Sequence, residues 1–345
     1  MNPISIRLLA QQLVSPQYSA PADVVAHMGA IQAQDYRMMR WAVQLRMRKP
    51  SSEAFAKAFD EGEIIRLHLL RGTWQLVAAA DYWWLLQLYA PKAERVIRGW
   101  MKSNGVAIDD HELHRVREVL ALVCEAVGSA TKADFAQALE ARGMGMDDHR
   151  LSYHIRLAEL GGTLCSGNLT PMKATYALVE RKLGTSASEM SRDDMLRLLA
   201  RKYFQSRSAA TFEDFLWWTG LGVAECKRGM ELLGSELRKM PWKGYELYVH
   251  EACRTRGARS GCTHLLPPFD EYLIGYKSRE IAMEPAHYPH AFTRNGIFFP
   301  VIAHGGVVCG NWSPWERLLK TSYFAPTSQE PNCEKNWKSF CRHVK

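Results

Sequence analysis

Apolar residues in this chain recur mostly at helical spacing, and three short β-prone pairs interrupt them. Two apolar runs, Val24–Met28 and Met38–Val43, flank the stretch Ala30-Ile31-Gln32-Ala33-Gln34-Asp35-Tyr36. On a helix the two glutamines would point about 200° apart; in an extended segment they share a face. Joint action therefore requires a break in the helix between the two runs. The amides both donate and accept, so together they can orient one water without supplying a strong base. The alternative is a pair of solvated glutamines at a helix junction.

Taken in order, the pattern predicts a helix over 4–13 with Ser5 as cap, and a second from Pro21, a residue suited to a first turn. A third runs to about Arg48, and a fourth, Glu53 to Asp60, is capped by Ser51 or Ser52. Ile64–His68 and Thr73–Val77 around Arg71-Gly72 read as a hairpin. A Trp- and Leu-rich helix, Tyr82 to Met101, ends at Ser103-Asn104-Gly105.

The same order returns twice. Helix 113–127 is followed by Thr131-Lys132-Ala133-Asp134-Phe135, a capping box with Asp in place of Glu. Then come helix 148–160 and a hairpin, 163–165 with 175–179. A third round has Ser191 as cap and Thr211, Asp214 and Phe215, echoing Thr131, Asp134 and Phe135 at a displacement of 80 residues. It continues with helix 223–233 and a hairpin, 237–240 with 245–249. Helix, turn, helix and hairpin make tandem winged helices the predicted fold; a generic helical repeat is the alternative.

Beyond Gly257 the composition changes. Leu265-Leu266-Pro267-Pro268-Phe269-Asp270 is turn-forming, and 297–302 and 306–312 read as strands joined at His304-Gly305. The predicted class is α+β, mainly α. Its parts are winged helix 1 (1–103), winged helix 2 (104–188), winged helix 3 (189–256), a β module (257–326) and a loosely ordered polar tail (327–345).

Charge narrows the class of partner. The 345 residues carry 44 Lys and Arg against 36 Asp and Glu, a net +8 that favours a polyanion. No apolar run reaches the roughly 20 residues of a membrane helix, and the N-terminus lacks a signal-peptide core. The eight cysteines form no Cys-x-x-Cys pair, so zinc-ribbon and thioredoxin-like motifs are not indicated. They read as reduced thiols of a cytoplasmic protein.

Four motifs stand in register: Gln32-Ala33-Gln34, Arg66-Leu67-His68-Leu69-Leu70-Arg71-Gly72-Thr73, Leu265–Asp270 and Gly310-Asn311-Trp312. Over about residues 4–320 the chain resembles the AlkZ-type DNA glycosylases. The resemblance implies three winged helices plus a β element in a C-shaped channel for duplex DNA. It also implies catalysis by Gln32 and Gln34, in the Gln-aliphatic-Gln branch, which includes enzymes that unhook interstrand crosslinks. Ala33 is small for the aliphatic slot.

Such a site suits one kind of substrate. An N7-alkylguanine already carries positive charge and leaves C1′ without protonation, so a positioned water can suffice. No neighbouring lysine points to a Schiff base. The expectation is a monofunctional glycosylase acting on duplex DNA with alkylated bases. It would use neither cofactor nor metal, and it would be a nucleoid-associated monomer. Phosphate or DNA contacts are expected from Arg40, Arg46, Arg150, Arg156 and Lys227, with solvated helix faces as the plainer reading, and from Arg71, whose plainer reading is a turn made with Gly72. His68 is a DNA contact or a strand residue facing solvent or core. Asp270 caps a turn or lies near the site, and Tyr36 is beside it. The competing functions are a non-enzymatic winged-helix transcriptional regulator, which has no need of the glutamine pair, and a protein-interaction scaffold.

Overall fold

The computed structural model describes residues 1–185, 189–258, 261–325 and 330–344. The chain forms two compact units, one from Met1–Phe55 with Ser191–Lys345, the other Ala56–Met190. The first unit is thus discontinuous, and its boundary falls inside the segment 1–103 that the sequence pattern groups together.

In the unit Ala56–Met190 an antiparallel hairpin, Ile64–Leu69 against Thr73–Ala78, continues into the helix Ala79–Ser103. Asp109 caps the next helix, Asp110–Val127, by accepting from the Glu112 amide. Thr131 and Asp134 form the complete capping box of Lys132–Glu140. The helix Asp148–Leu160 leads into a second hairpin, Leu164–Ser166 with Thr175–Leu178. A short strand just ahead of the box, Ala130–Thr131, adds to that hairpin through Thr175 and Tyr176. Val116, Leu120, Phe135, Leu139, Leu151 and Ile155 fill the core between these elements, as their helical spacing requires.

The other unit repeats the arrangement. Ser191 caps Arg192–Arg207, a capping box of Thr211 and Asp214 opens Phe212–Thr219, and Val223–Glu231 follows. The hairpin Leu237–Trp242 with Tyr245–His250 comes next, and Ala210, the residue before the box, bridges to Tyr248 in it. Four antiparallel strands make the β module, in the order Thr321–Tyr323, Val307–Trp312, Val301–His304, Thr263–Leu266.

Several local expectations are corrected. Asn2, not Ser5, caps the first helix, which spans Pro3–Ala10. The third helix is only Met39–Gln44. In the β module the strand expected over 297–302 starts only at Val301, and the turn is Gly305-Gly306, both at positive φ. The polar tail contains an ordered helix, Glu334–His343; residues 327–329 and 345 lie outside the described residues. Its apolar stripe, Trp337, Phe340 and Cys341 at i, i+3 and i+4, packs on a cluster that includes Trp41 and Trp312. Polar composition had masked that stripe.

Candidate active site

The glutamine stretch is not helical. The helix Pro21–Met28 stops at Gly29, whose φ of +72° is a left-handed value that disfavours side chains. Ile31–Gln32 is extended, and Gln34 and Asp35 form a bend. The Asp35 carboxylate then accepts from the amides of Arg37 and Met38, both at 3.0 Å, and starts the helix Met39–Gln44. Gln32 is buried, with 4% of its surface exposed, whereas Gln34 is exposed. Tyr36 and Arg40 are half-buried, and burial holds the Arg40 guanidinium below its ordinary range.

A buried ion pair surrounds this backbone. Arg207, at the end of the helix Arg192–Arg207, donates from Nη1 to the Met28 carbonyl (2.7 Å) and from Nη2 to the Ala30 carbonyl (2.8 Å). It pairs through Nε (3.0 Å) and Nη2 (2.7 Å) with Glu271 Oε2. The other carboxylate oxygen of Glu271, Oε1, accepts the Gln32 amide at 2.8 Å. Trp218 Nε1 also donates to Oε2, at 3.2 Å, and its ring lies 4.4 Å from the Arg207 guanidinium. One helix turn back, Lys202 Nζ holds the Ala26 carbonyl at 2.8 Å.

Two further buried pairs tie down the segment that carries Glu271. Arg46 grips Asp270 in bidentate fashion, at 3.0 and 2.8 Å. Asp270 also caps the short helix Glu271–Ile274 through the Tyr272 amide. Gln11 connects the two, accepting from Arg46 and donating to the Glu271 carbonyl. Arg7 lies 3.5 Å from Asp214, whose other oxygen accepts the amides of Lys277 and Ser278.

These contacts sort the sequence candidates. Asp270 is a cap, and it sits next to a residue bonded to Gln32. Arg46, expected to meet phosphates, is fully buried, and its charge is engaged by Asp270. In the other unit, His68 takes the core position among its possible placements. Its Nδ1 lies 2.7 Å from Glu159, and its ring lies against Trp74 at a 38° tilt. Burial lowers its pKa against the opposing pull of Glu159. Arg150 is engaged by Glu112, whose carboxyl it holds below the usual range. Arg71 and Arg156 are half-buried, and Lys227 is exposed. The sequence reading missed Arg207, Glu271, Trp218, Gln11 and Arg7. The only available signal was that Glu271 follows Asp270 in the motif already noted. Among the described residues, no three His, Cys, Asp or Glu side chains are grouped to hold a metal ion. Nor is any helix there long and apolar enough to cross a membrane.

This fold of hairpins and capped helices has a counterpart among solved structures. The model of the family described as DNA glycosylase AlkZ-like matches residues 25–334, and the chain belongs to that family. A relative from Streptomyces sahachiroi, an interstrand DNA cross-link repair glycosylase, is 24% identical over 337 residues, which is 94% of this chain and 90% of that protein. The solved structure of the Streptomyces sahachiroi DNA glycosylase AlkZ has the same fold. It superimposes with a TM-score of 0.75 at 21% identity, over 100% of this chain and 96% of that one.

Proposed function

We propose that this protein is a monofunctional DNA glycosylase that releases N7-alkylated purines, with Gln32 and Gln34 holding the attacking water. The observation that carries this reading is the extended backbone at Gln32, between a helix that ends at Gly29 and one that starts at Met39. Gln34 lies in the bend that follows, so the helical arrangement that would hold the two side chains about 200° apart is absent.

In the proposed reaction the C1′–N9 bond breaks, and its electron pair neutralises the cationic base, which leaves as the free alkylpurine. Water adds to the oxocarbenium-like C1′ and loses a proton to solvent, leaving an abasic site. Because the leaving group needs no proton, amides that orient water are adequate where a strong base is absent. Affiliation with a family that includes a crosslink-repair enzyme supports extending the substrates to bulky adducts and interstrand crosslinks. The three helix–hairpin segments are read as winged helices on duplex DNA. Arg40, Arg71 and Arg156 are phosphate contacts in this reading, Arg150 being taken up by Glu112, and duplex affinity falls steeply with salt.

The test is single-turnover release of N7-methylguanine from duplex DNA. Gln32→Ala and Gln34→Ala should each slow release, by about 100-fold for a lost positioning contact. Affinity for undamaged duplex should be retained. The double variant should lose less than the product of the two, since residues that act as a unit are not additive. Gln34→Asp should keep appreciable activity. Full activity in the double Ala variant rejects the site, and a wild type inert on every N7-alkylpurine rejects the function.

A further inference from the structure

We propose that the buried Arg207–Glu271 pair is the positioning element of the glutamine site, fixing the main chain at Gln32 and hence the direction of its amide. The inference rests on the reading of Gln32 and Gln34 as the catalytic pair.

Three features of the geometry support it. First, the pair grips backbone on both sides of Ile31: the carbonyls of Met28 and Ala30 bind Arg207, and the Gln32 amide binds Glu271. A shift of either side chain therefore moves the residue whose side chain must meet the water. Second, the arginine is saturated. Its five N–H groups meet Met28, Ser206, Ala30 and, twice, Glu271. Both partners are at most 1% exposed, so neither is free to bind a ligand. Third, the surroundings are shaped for the pair. A Cβ on Gly275 would lie 2.6 Å from the Glu271 carbonyl, 3.1 Å from Arg207 Nε and 3.2 Å from Glu271 Oε2. Only glycine leaves that room. Gln11 holds the Glu271 carbonyl, and Arg46 holds the neighbouring Asp270, so the carboxylate is aimed from its own backbone as well.

Stability alone is a poor reason for such a pair. A buried ion pair contributes little net stability compared with well-packed apolar side chains. What it supplies here is direction, because charge-assisted bonds are short and geometrically strict. Glu271 divides that work between its oxygens: Oε2 takes the charge and the Trp218 indole, and Oε1 is left for Gln32.

The experiment measures single-turnover N7-methylguanine release, affinity for intact duplex, and melting for Glu271→Gln and Gly275→Ala, each also combined with Gln32→Ala. Folded Glu271→Gln should release base on the order of 10- to 100-fold more slowly, with duplex affinity within about twofold. On Gln32→Ala it should add less than about threefold, because the residue it positions is gone. Gly275→Ala keeps both charges and should behave alike with a smaller loss, and it decides the matter if Glu271→Gln does not fold. The proposal is overturned if the losses multiply in the Gln32→Ala background, if duplex affinity falls in parallel with rate, or if folded Gly275→Ala releases base at the wild-type rate. A wild type without base release instead rejects the underlying function. An active wild type slowed by Gln32→Ala but not by these variants rejects the pair alone.

Discussion

Thr131-Asp134-Phe135 and Thr211-Asp214-Phe215 are the same local device in two surroundings. In both, the threonine hydroxyl accepts the aspartate amide, the carboxylate accepts the threonine amide, and the phenylalanine is buried. In both, the alanine just before the threonine pairs with the second strand of a hairpin. There the likeness ends. Asp134 is partly exposed, and it bonds to Thr131 within its own box. Asp214 is fully buried, faces Arg7, and accepts the amides of Lys277 and Ser278. One box only starts a helix. The other also secures the chain that follows Glu271, and so a motif can be read locally while its use is set by residues far away in sequence.

The widest gap between the boxes should appear on removing the carboxylates. Asp214→Ala leaves the Arg7 charge buried and two amides unpaired, which should cost about 3–5 kcal/mol. Asp134→Ala loses a cap and should cost about 1 kcal/mol. Denaturant unfolding of both variants checks this, and equal losses would show that the deeper connections of Asp214 carry no energy.

Acid tests the same unit by another route. His27 bonds to the Ala10 carbonyl through Nε2 and to the Tyr18 hydroxyl through Nδ1, which fits a neutral ring. Burial pushes it, and His264, down to about 4. Unfolded histidines titrate near 6.5, so the unfolded chain binds more protons between about 4 and 6.5, and stability falls as pH drops through that window. At pH 5 the loss is about 2 kcal/mol per histidine. Melting should fall by several degrees from pH 7 to pH 5, and His27→Gln should reduce the slope. An unchanged melting temperature would contradict neutral burial.

The smallest effect is expected where the boxes agree. Thr131→Ser and Thr211→Ser keep the hydroxyl, and each should stay within about 0.5 kcal/mol of the parent. A clear difference between them would mean that the threonine methyl, and not the cap, distinguishes the two sites.

Most of the local structure was legible in the sequence. Periodicity located the helices, Thr131, Ser191 and Thr211 marked their starts, and Gly72 and Gly244 lie in the hairpin turns. The break at the glutamines was legible only on the condition that the two act together, since a helix points residues at i and i+2 apart. What stayed hidden depends on distance. Nothing local announces that Arg207 meets Glu271, 64 residues on, or that Arg46 meets Asp270 across 224. By composition alone these arginines look like surface charge, and Arg46 was therefore misplaced on a phosphate track. The discontinuous unit was missed for the same reason. Chain order groups 1–103, whereas tertiary contacts join Met1–Phe55 to Ser191–Lys345.

The last helix has a practical consequence. Phe340 meets Trp41 at 5.5 Å and Trp312 at 5.0 Å, both edge-on, and the two indoles donate to the Leu265 and Leu266 carbonyls. Trp41 belongs to the helix that begins five residues after Gln34. Proteolytic trimming after Cys333 would bare two tryptophans at once, and emission would redden as water reached them. The molecule thus carries an intrinsic optical gauge of how firmly the helix beside its glutamines is seated, readable without any label.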